Sequence, residues 1–464
     1  MEIIKDEKVK KIIDKINEAT KMTAFHGNIY VVGGAVRDSL LGLPIKDLDI
    51  AVNVKGGGIM VASIFAAREK CYLAATNPVI FPTYGTAKVS LFNDKELKDI
   101  NIEFVETRKC ARDAFNTTID CFGTLEEDSK RRDLSINALY WNITNGTLYD
   151  FNKGVDDLQT QTLRCPDPYK MLFEDPIKMM RIIRTSAELG WGIEKNTWLA
   201  MIQNAKWITT VAQEKVTMEL SRILTSPNAS FGIRKMLYCG LLKRVMPDIQ
   251  DLTTAYESRN PMVTAFDHTM KVLDAVQPIL ENRLAALFHD IGSVVSDNYN
   301  RFVSKDMFSS DVAADDLKSM KFSNGVIDAV GTAIRYHRVF TNYADGVMPP
   351  DKKIRKFVNL CDKHIGTTVD LMNANNLHCT YGKKKRQALD ILNRMEELDK
   401  IEEVKNVKLP VDGKILISEL GMKRGGPIIG KLLDKIKDAY FENPKITKEE
   451  CLELAKKEIK VLAV

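Results

Sequence analysis

Residues Tyr30–Val52 have the sequence YVVGGAVRDSLLGLPIKDLDIAV, which is the most informative segment of the chain. The β-branched and aromatic run 29–32 predicts a strand that ends at Gly33-Gly34. Residues 37–41 then predict a short helix, and the alternating run Asp47–Val52 predicts a second strand. This order of elements is typical of a small α/β domain.

Two acidic residues, Asp47 and Asp49, begin the second predicted strand. Residues i and i+2 of a strand point to the same face, so the two carboxylates are expected side by side. Hard oxygen ligands of this kind suit Mg²⁺. The glycine pair before the predicted helix lets backbone N–H groups approach a phosphate closely. Together these features predict Mg²⁺-dependent nucleotidyl or phosphoryl transfer.

The same residues resemble a known signature. Gly33–Asp38 followed by Asp47–Asp49 resembles the class II tRNA nucleotidyltransferases, the CCA-adding enzymes of the polymerase-β-like superfamily. The resemblance continues, in order, through five further segments: Thr83–Ala87, Gly123–Trp141, Asp150–Leu158, Glu174–Arg184 and Glu214–Leu220.

The resemblance implies a role for several residues of this chain. Asp47 and Asp49 would hold Mg²⁺, and Glu103 occupies the place of a third carboxylate. The residues implied in binding the triphosphate and the ribose are Gly33, Gly34, Arg37, Arg132, Asp133 and Asn137. The implied substrates are the 3′ end of tRNA, CTP and ATP.

The segment Glu174–Arg184 is the one that would select the nucleotide. Asp175, Lys178 and Arg181 recur every third residue, with Arg184 one step further, so a helix would place them near one face. A carboxylate can accept a hydrogen bond from an exocyclic amine and a cation can donate to a ring atom, which suits cytosine and adenine. The family has arginine where this chain has Lys178, and lysine lacks the planar two-pronged fork of arginine.

Composition sets broad limits on the class of protein. A chain of 464 residues with 45% hydrophobic and 28% charged residues is ordinary for a soluble globular protein of several domains. The formal net charge of +5 does not by itself indicate nucleic-acid binding. The eight cysteines include no Cys-x-x-Cys pair, which favours reduced thiols and a cytoplasmic location. No apolar run reaches the ~18 residues that a membrane span needs.

The pattern along the chain predicts a mixed α/β head followed by helices. Strands are expected at 29–32, 47–52, 86–91, 101–105 and 147–151, which form a mixed five-stranded sheet, and helices at 59–70 and 133–140. Helical periodicity dominates after Pro168. The predicted domains are a catalytic head, an all-α neck, a helical body and a tRNA-binding tail, at 1–165, 166–260, 261–380 and 381–464.

A second signature lies in the predicted body. Phe266–Val276 and Leu284–Gly292 resemble the start of an HD domain, which would make His268, His289 and Asp290 metal ligands. Beyond these, His337 remains, but Met307–Asp311 lacks the expected histidine and Asn373–Asn376 lacks the expected aspartate. The interpretation is a helical domain that kept the fold and lost the metal. In the tail, Gly425–Pro427 and the basic run Lys383–Arg386 indicate tRNA contact through phosphates.

The sequence therefore predicts template-independent addition of C, C and A to the 3′ end of tRNA, with release of pyrophosphate. The alternatives are a poly(A) polymerase, a split enzyme that adds only CC or only A, an HD-type phosphohydrolase and a non-catalytic RNA-binding module. The sequence gives no indication of an oligomeric state.

Overall fold

A computed structural model describes residues 3–71, 77–109, 121–257, 260–292, 304–343, 347–378, 387–402, 408–422 and 426–462. The predicted basic run Lys383–Arg386 and Gly425 lie outside these residues. The described chain forms two compact units, one of Met1–Glu219 with Lys235–Arg244 and one of Leu220–Arg234 with Val245–Val464. The four-domain division made from the sequence stays a prediction.

The first unit is built on a seven-stranded sheet. Its strands are β1 (Ile29–Val32), β2 (Asp47–Val52), β3 (Val79–Phe81), β4 (Thr86–Val89), β5 (Asn101–Glu106), β6 (Leu139–Asn142) and β7 (Leu148–Asp150), in the order β3-β4-β5-β2-β1-β6-β7. Only β2 and β5 pair in parallel, and the other neighbours are antiparallel. The expectation of a mixed sheet is confirmed, but its five strands are corrected to seven.

The predicted helix at 133–140 is wrong. This segment forms a short 3₁₀ turn, Ser135–Asn137, and then enters β6, which pairs with β1. The Tyr140 side chain packs in a buried cluster with Tyr30, Val32, Ala51 and Leu125. Burial of its ring against two neighbouring strands outweighs the weak local preference for helix, because strand propensity is largely a matter of packing.

Helices surround the sheet and continue the first unit. The sheet domain contains α1 (Glu7–Thr20), α2 (Gly34–Leu41), α3 (Gly57–Cys71), α4 (Leu125–Ser129) and α5 (Gly154–Gln159). Then follow α6 (Pro168–Glu174), α7 (Ile177–Leu189), α8 (Lys195–Asn204), the 3₁₀ turn Ala205–Thr210, α9 (Gln213–Leu224) and α10 (Ala229–Tyr238). The short strand β8 (Thr162–Leu163), between α5 and α6, pairs in parallel with β9 (Gly192–Ile193), between α7 and α8.

The second unit is largely helical, as the sequence predicts. The helix α11 (Leu242–Val245) belongs to the first unit except for Val245. The second unit continues with α12 (Pro247–Asp251) and the hairpin of β10 (Tyr256–Glu257) and β11 (Asn260–Thr264). The helices that follow are α13 (Ala265–Ala275), α14 (Leu280–Phe288), α15 (Lys305–Ser319), α16 (Asn324–Tyr336), α17 (Asp351–Cys361), α18 (Ile365–His378), α19 (Gln387–Glu402), α20 (Gly413–Glu419), α21 (Pro427–Glu442) and α22 (Lys448–Leu462). One apolar core lies around Phe340 and Phe357, and another around Leu416 and Leu432.

The described residues also test the expectations about membrane spans and about cysteine thiols. None of its helices is both long and apolar enough to cross a bilayer. Cys165, Cys239, Cys361 and Cys451 are free thiols. Cys121, however, takes part in a disulfide bond, so the expectation of uniformly reduced thiols is wrong at that residue.

Candidate active site

The carboxylates of β2 lie at one end of the central sheet. Asp47 is exposed, and its Oδ1 accepts a hydrogen bond of 3.0 Å from Asn101 Nδ2. Asp49 is paired in parallel register with Glu103 on β5, which points the two side chains to the same face. Partial burial, together with the negative charges of Glu103 and Asp47, raises the pKa of Asp49 to about 6 even though Arg132 opposes the shift. Three mutually repelling carboxylates with oxygen donors fit a hard divalent cation.

The glycine turn before α2 is shaped around one of these carboxylates. Gly33 has φ +75°, a conformation that residues with a side chain rarely adopt. A Cβ atom at Gly33 would lie 3.0 Å from Asp49 Oδ2 and 3.8 Å from an Arg132 guanidinium nitrogen. Glycine is therefore required here both by the backbone angle and by the close approach of Asp49.

Arg132 is held in place by two side chains that the sequence analysis did not identify. Its Nε donates to Asp128 Oδ2 at 3.2 Å and to the Tyr140 hydroxyl at 3.0 Å. The Tyr140 hydroxyl donates to the same Asp128 oxygen at 2.6 Å, and Asp128 Oδ1 accepts the backbone N–H of Arg108 at 3.0 Å. Burial and the charge of Asp128 raise the pKa of Tyr140, with Arg132 opposing, so the phenol stays protonated. The network directs the Arg132 guanidinium toward Asp49.

A second network joins the glycine turn to the segment after α4. Arg37 NH1 donates to Asn137 Oδ1 at 2.9 Å, and Asn137 Nδ2 donates to Asp133 Oδ1 at 3.1 Å. The backbone N–H of Leu134 also donates to that Asp133 oxygen, at 2.9 Å. Arg37 is thus linked through its side chain to Asn137, 100 residues later, and through Asn137 to Asp133.

The predicted nucleotide-selecting segment begins between two helices. Asp175 is about half exposed and follows α6, and Pro176 is the residue before α7. Lys178 Nζ donates to the backbone carbonyl of Arg131 at 2.9 Å and lies 4.0 Å from Asp175 Oδ2. Burial lowers the pKa of Lys178, and the charges of Asp175 and Asp133 oppose that shift. Lys178 therefore connects this segment to the segment that carries Arg132 and Asp133.

Arg181 and Arg184 face a different partner from the one expected. Arg181 Nε lies 3.5 Å from Glu219 Oε1 and Arg184 Nε lies 2.8 Å from Glu219 Oε2. Glu219, on α9, is only 1% exposed. Arg184 also contacts Glu188 at 3.2 Å. The buried glutamate thus fixes two arginines of α7 at once, and the idea that Arg181 stands on one open face with Asp175 and Lys178 stays a prediction.

The structure brings most of the predicted residues together within the first unit. Asp49, Arg132 and the Gly33 turn converge, Arg37 reaches Asp133 through Asn137, and Lys178 lies near Asp175 and Asp133. Sequence reasoning missed Asp128, Tyr140 and Glu219. The i, i+4 spacing of Asp128 and Arg132 was an available signal, whereas the wrong helix assignment concealed Tyr140. Nothing local indicated that Glu219 would reach residues 35 and 38 positions earlier.

Two family models match parts of the chain. Residues 29–164 match the poly A polymerase head domain, and residues 190–252 match a probable RNA and SrmB-binding site of polymerase A. The first matched segment covers most of the sheet domain, and the second covers α8 to α12.

Named relatives share sequence and fold with this chain. The chain is 28% identical over 437 residues to the CC-adding tRNA nucleotidyltransferase of Thermus thermophilus, covering 91% of each protein. It is 30% identical over 318 residues to the multifunctional CCA protein of a Janthinobacterium species, covering 66% of this chain and 72% of that protein. Its fold is similar to the crystal structure of the Bacillus stearothermophilus CCA-adding enzyme in complex with CTP, with a TM-score of 0.69, 20% identity and 99% of each chain covered.

Proposed function

Because the chain belongs to the class II tRNA nucleotidyltransferases, the CCA-adding enzymes, we propose that it adds C, C and A to the 3′ end of tRNA. The substrates are CTP and ATP, and pyrophosphate is released. The observation that carries this proposal is the convergence of Asp49, Glu103 and Arg132 around the Gly33 turn.

The carboxylate group is the proposed site of a divalent metal, a kind of ion that nucleotidyltransferases of this family use, and we propose Mg²⁺. Asp47 and Asp49 would hold it, with Glu103 close by. The raised pKa of Asp49, caused mainly by burial and then by the charges of Glu103 and Asp47, supports this role, because a bound cation would compensate the negative charge of Asp49. When bound, Mg²⁺ supplies positive charge that favours ionisation of the tRNA 3′-hydroxyl and neutralises the departing pyrophosphate.

The protein's own side chains bind and orient the nucleotide in this proposal. Gly33 and Gly34 present backbone N–H groups at the start of α2 to the triphosphate. Arg132, fixed by Asp128 and Tyr140, adds a permanent positive charge next to Asp49, and Arg37 adds another. Asp133 accepts from a ribose hydroxyl while Asn137 maintains its orientation.

The base is read by the start of α7. Asp175 is exposed enough to accept a hydrogen bond from the exocyclic amine of cytosine or adenine. Lys178 has three N–H donors, of which one is used by the Arg131 carbonyl, so donors remain for a ring nitrogen or carbonyl oxygen. Arg181 and Arg184, with Glu219, support this end of the helix, and the protein acts as its own template.

A second candidate, addition of CC alone, is favoured by one specific observation. The Thermus thermophilus relative that aligns over 91% of both chains is named as a CC-adding enzyme. Poly(A) synthesis remains a further outcome of the test, in view of the matched head domain. We place the reaction in the cytoplasm, where a tRNA-processing activity of this family would operate.

The discriminating experiment uses purified protein, Mg²⁺ and tRNA transcripts that end before CCA, after CC, or with CCA complete. Each transcript receives labelled CTP, ATP, GTP or UTP, and product length is read on a gel. Stepwise addition of C, C and A with arrest at the complete end is the expected result. CC alone would assign the split activity, and long A tails would identify a poly(A) polymerase. No incorporation on any transcript would refute the proposal.

A further inference from the structure

The second unit contains a buried cluster of His268, His289 and Asp290. His268 lies on α13, and the other two residues follow α14. One potential ligand atom from each residue lies within 4.8 Å of the others, and all three side chains are buried. Two imidazoles and a carboxylate are a donor set that suits a divalent transition metal. The contacts around the cluster nevertheless differ from those that a bound metal requires.

Arg338 provides the positive charge that faces this cluster. Its guanidinium NH2 donates to Asp290 Oδ1 at 2.6 Å, and its NH1 donates to Asp306 Oδ1 at 3.0 Å. Arg338 therefore bridges two carboxylates, with only 10% of the Asp290 side chain and 20% of the Asp306 side chain exposed. A guanidinium does not lose its proton in proteins, so it repels a divalent cation placed beside Asp290.

Asn375 contacts the ligand atom of His268. Asn375 lies on α18, within the segment Asn373–Asn376 in which the HD pattern expects an aspartate. Its Oδ1 lies 3.1 Å from His268 Nε2. An amide oxygen only accepts, so this contact requires a proton on Nε2, and a protonated Nε2 has no lone pair for a metal. The amide also lacks the negative charge that would compensate a divalent ion.

The tautomer of the neighbouring histidine is also set by the structure. His289 Nδ1 donates to the Ala286 carbonyl at 2.7 Å, and its Nε2 lies 3.3 Å from His268 Nε2 and 3.4 Å from Asp290 Oδ2. The protonated Nε2 of His268 can thus share its proton with His289. The Nε2 atoms of His268 and His289, which a metal would otherwise bind, are therefore engaged in contacts within the protein.

We propose that Arg338 takes the place of the metal ion in this cluster, and that Arg338 and Asn375 together prevent the cluster from binding a metal ion. The cluster is then an internally charge-balanced element of the helical unit. It carries no metal-dependent phosphohydrolase chemistry, and this inference is independent of the activity proposed for the head.

The inference is tested on the full-length protein after removal of metals by chelation and dialysis. Wild type, the double variant Arg338→Gln with Asn375→Asp, and single Asn375→Asp are each incubated with Ni²⁺, Mn²⁺ or Zn²⁺. Bound metal is measured by elemental analysis, and the Tm is followed by circular dichroism. We expect wild type and Asn375→Asp to bind no ion beyond those held by the head carboxylates and to show no further rise in Tm, and we expect the double variant to bind one additional ion with a raised Tm.

The substitution His289→Ala is made in wild type and in the double variant. It removes a ligand of this cluster and leaves the head carboxylates unchanged, so it distinguishes metal bound at the cluster from metal bound in the head. The additional bound ion and the raised Tm of the double variant must both disappear when His289→Ala is added. Metal that wild type retains and loses in His289→Ala would overturn the inference, and so would a folded double variant that binds no more metal than wild type. The wild-type comparison stands even if the double variant fails to fold.

Discussion

The hydroxyl of Tyr140 lies inside the head and has no proposed contact with substrate, yet it holds Arg132 next to Asp49. We predict that Tyr140→Phe lowers kcat/KM for CTP about tenfold to a hundredfold, since a hydrogen bond to a charged group contributes about 1.5–3 kcal/mol. Steady-state incorporation into tRNA measures the effect.

Tyr149→Phe is the matched control for Tyr140→Phe. Tyr149 lies on β7, where its ring contacts Tyr30 and stacks on Phe151. This variant removes the same atom from the same sheet and is expected to keep near-normal activity. Equal activities of the two variants, at equal Tm, would show that Tyr140 does not position Arg132.

Lys178 stands where the family has arginine, and its contact with the Arg131 carbonyl can be made by either residue. We predict that Lys178→Arg increases the preference for CTP and ATP over GTP and UTP by about tenfold, because the guanidinium fork donates two hydrogen bonds in a fixed geometry. Lys178→Met should weaken the same preference. The ratio of correct to incorrect incorporation measures both variants, and an unchanged ratio in both would exclude Lys178 from base recognition.

At the scale of elements, α7 is fixed by α9 through Glu219. We predict that Glu219→Gln lowers the free energy of unfolding of the first unit by about 3 kcal/mol, since it leaves Arg181 and Arg184 without their shared buried carboxylate. Urea unfolding followed by tryptophan fluorescence reports on this unit alone, because all four tryptophans (141, 191, 198 and 207) lie in it.

Glu214→Gln provides the control for Glu219→Gln on the same helix. Glu214 is exposed, so its substitution should change the free energy of unfolding by less than about 0.5 kcal/mol. Similar values for the two variants would mean that the buried glutamate does not hold α7.

The helix α15 carries a half-buried carboxylate, Asp316. Burial and the charges of Asp248 and Asp315 raise its pKa to about 6. A raised pKa in the folded state means that the stabilising contribution of the protonated form is complete below about pH 4 and is lost as the pH rises through about 6. We predict that Asp316→Asn raises the Tm of the second unit at about pH 8, and that the gain vanishes near pH 4. Calorimetry at both pH values tests this prediction, and a gain that is the same at both would contradict it.

The elements also show how far the sequence could predict this fold. The two strands that flank the glycine turn match their predicted bounds, because the pattern of Ile29–Val32 and Asp47–Val52 is local and strong. The start of strand β6 was predicted as helix, because the hydrophobic pattern of residues 133–140 is compatible with both a helix and a strand. Pairing with β1 is what makes the segment a strand. The adjacency of Asp47 and Asp49 follows from their spacing on one strand, whereas Tyr140 meets Arg132 only through the tertiary fold.

At the scale of the whole molecule, the two units carry different chemistry. The first unit holds all the residues proposed for catalysis and nucleotide binding. The second contains a cluster with the appearance of a metal site whose charge is already balanced by Arg338. The sequence pattern alone did not identify Arg338 as the cation beside Asp290, because the two residues are 48 positions apart and meet only in the folded chain.

In the proposed function, Asp49 and its neighbouring carboxylates carry nucleotidyl transfer to tRNA. The most direct measurement is incorporation of labelled CMP into tRNA lacking its CCA end, by wild type and by Asp49→Asn, with CTP binding measured in parallel. We predict that Asp49→Asn loses incorporation by about a hundredfold or more while it remains folded and still binds CTP. Incorporation at the wild-type rate by Asp49→Asn would contradict the account.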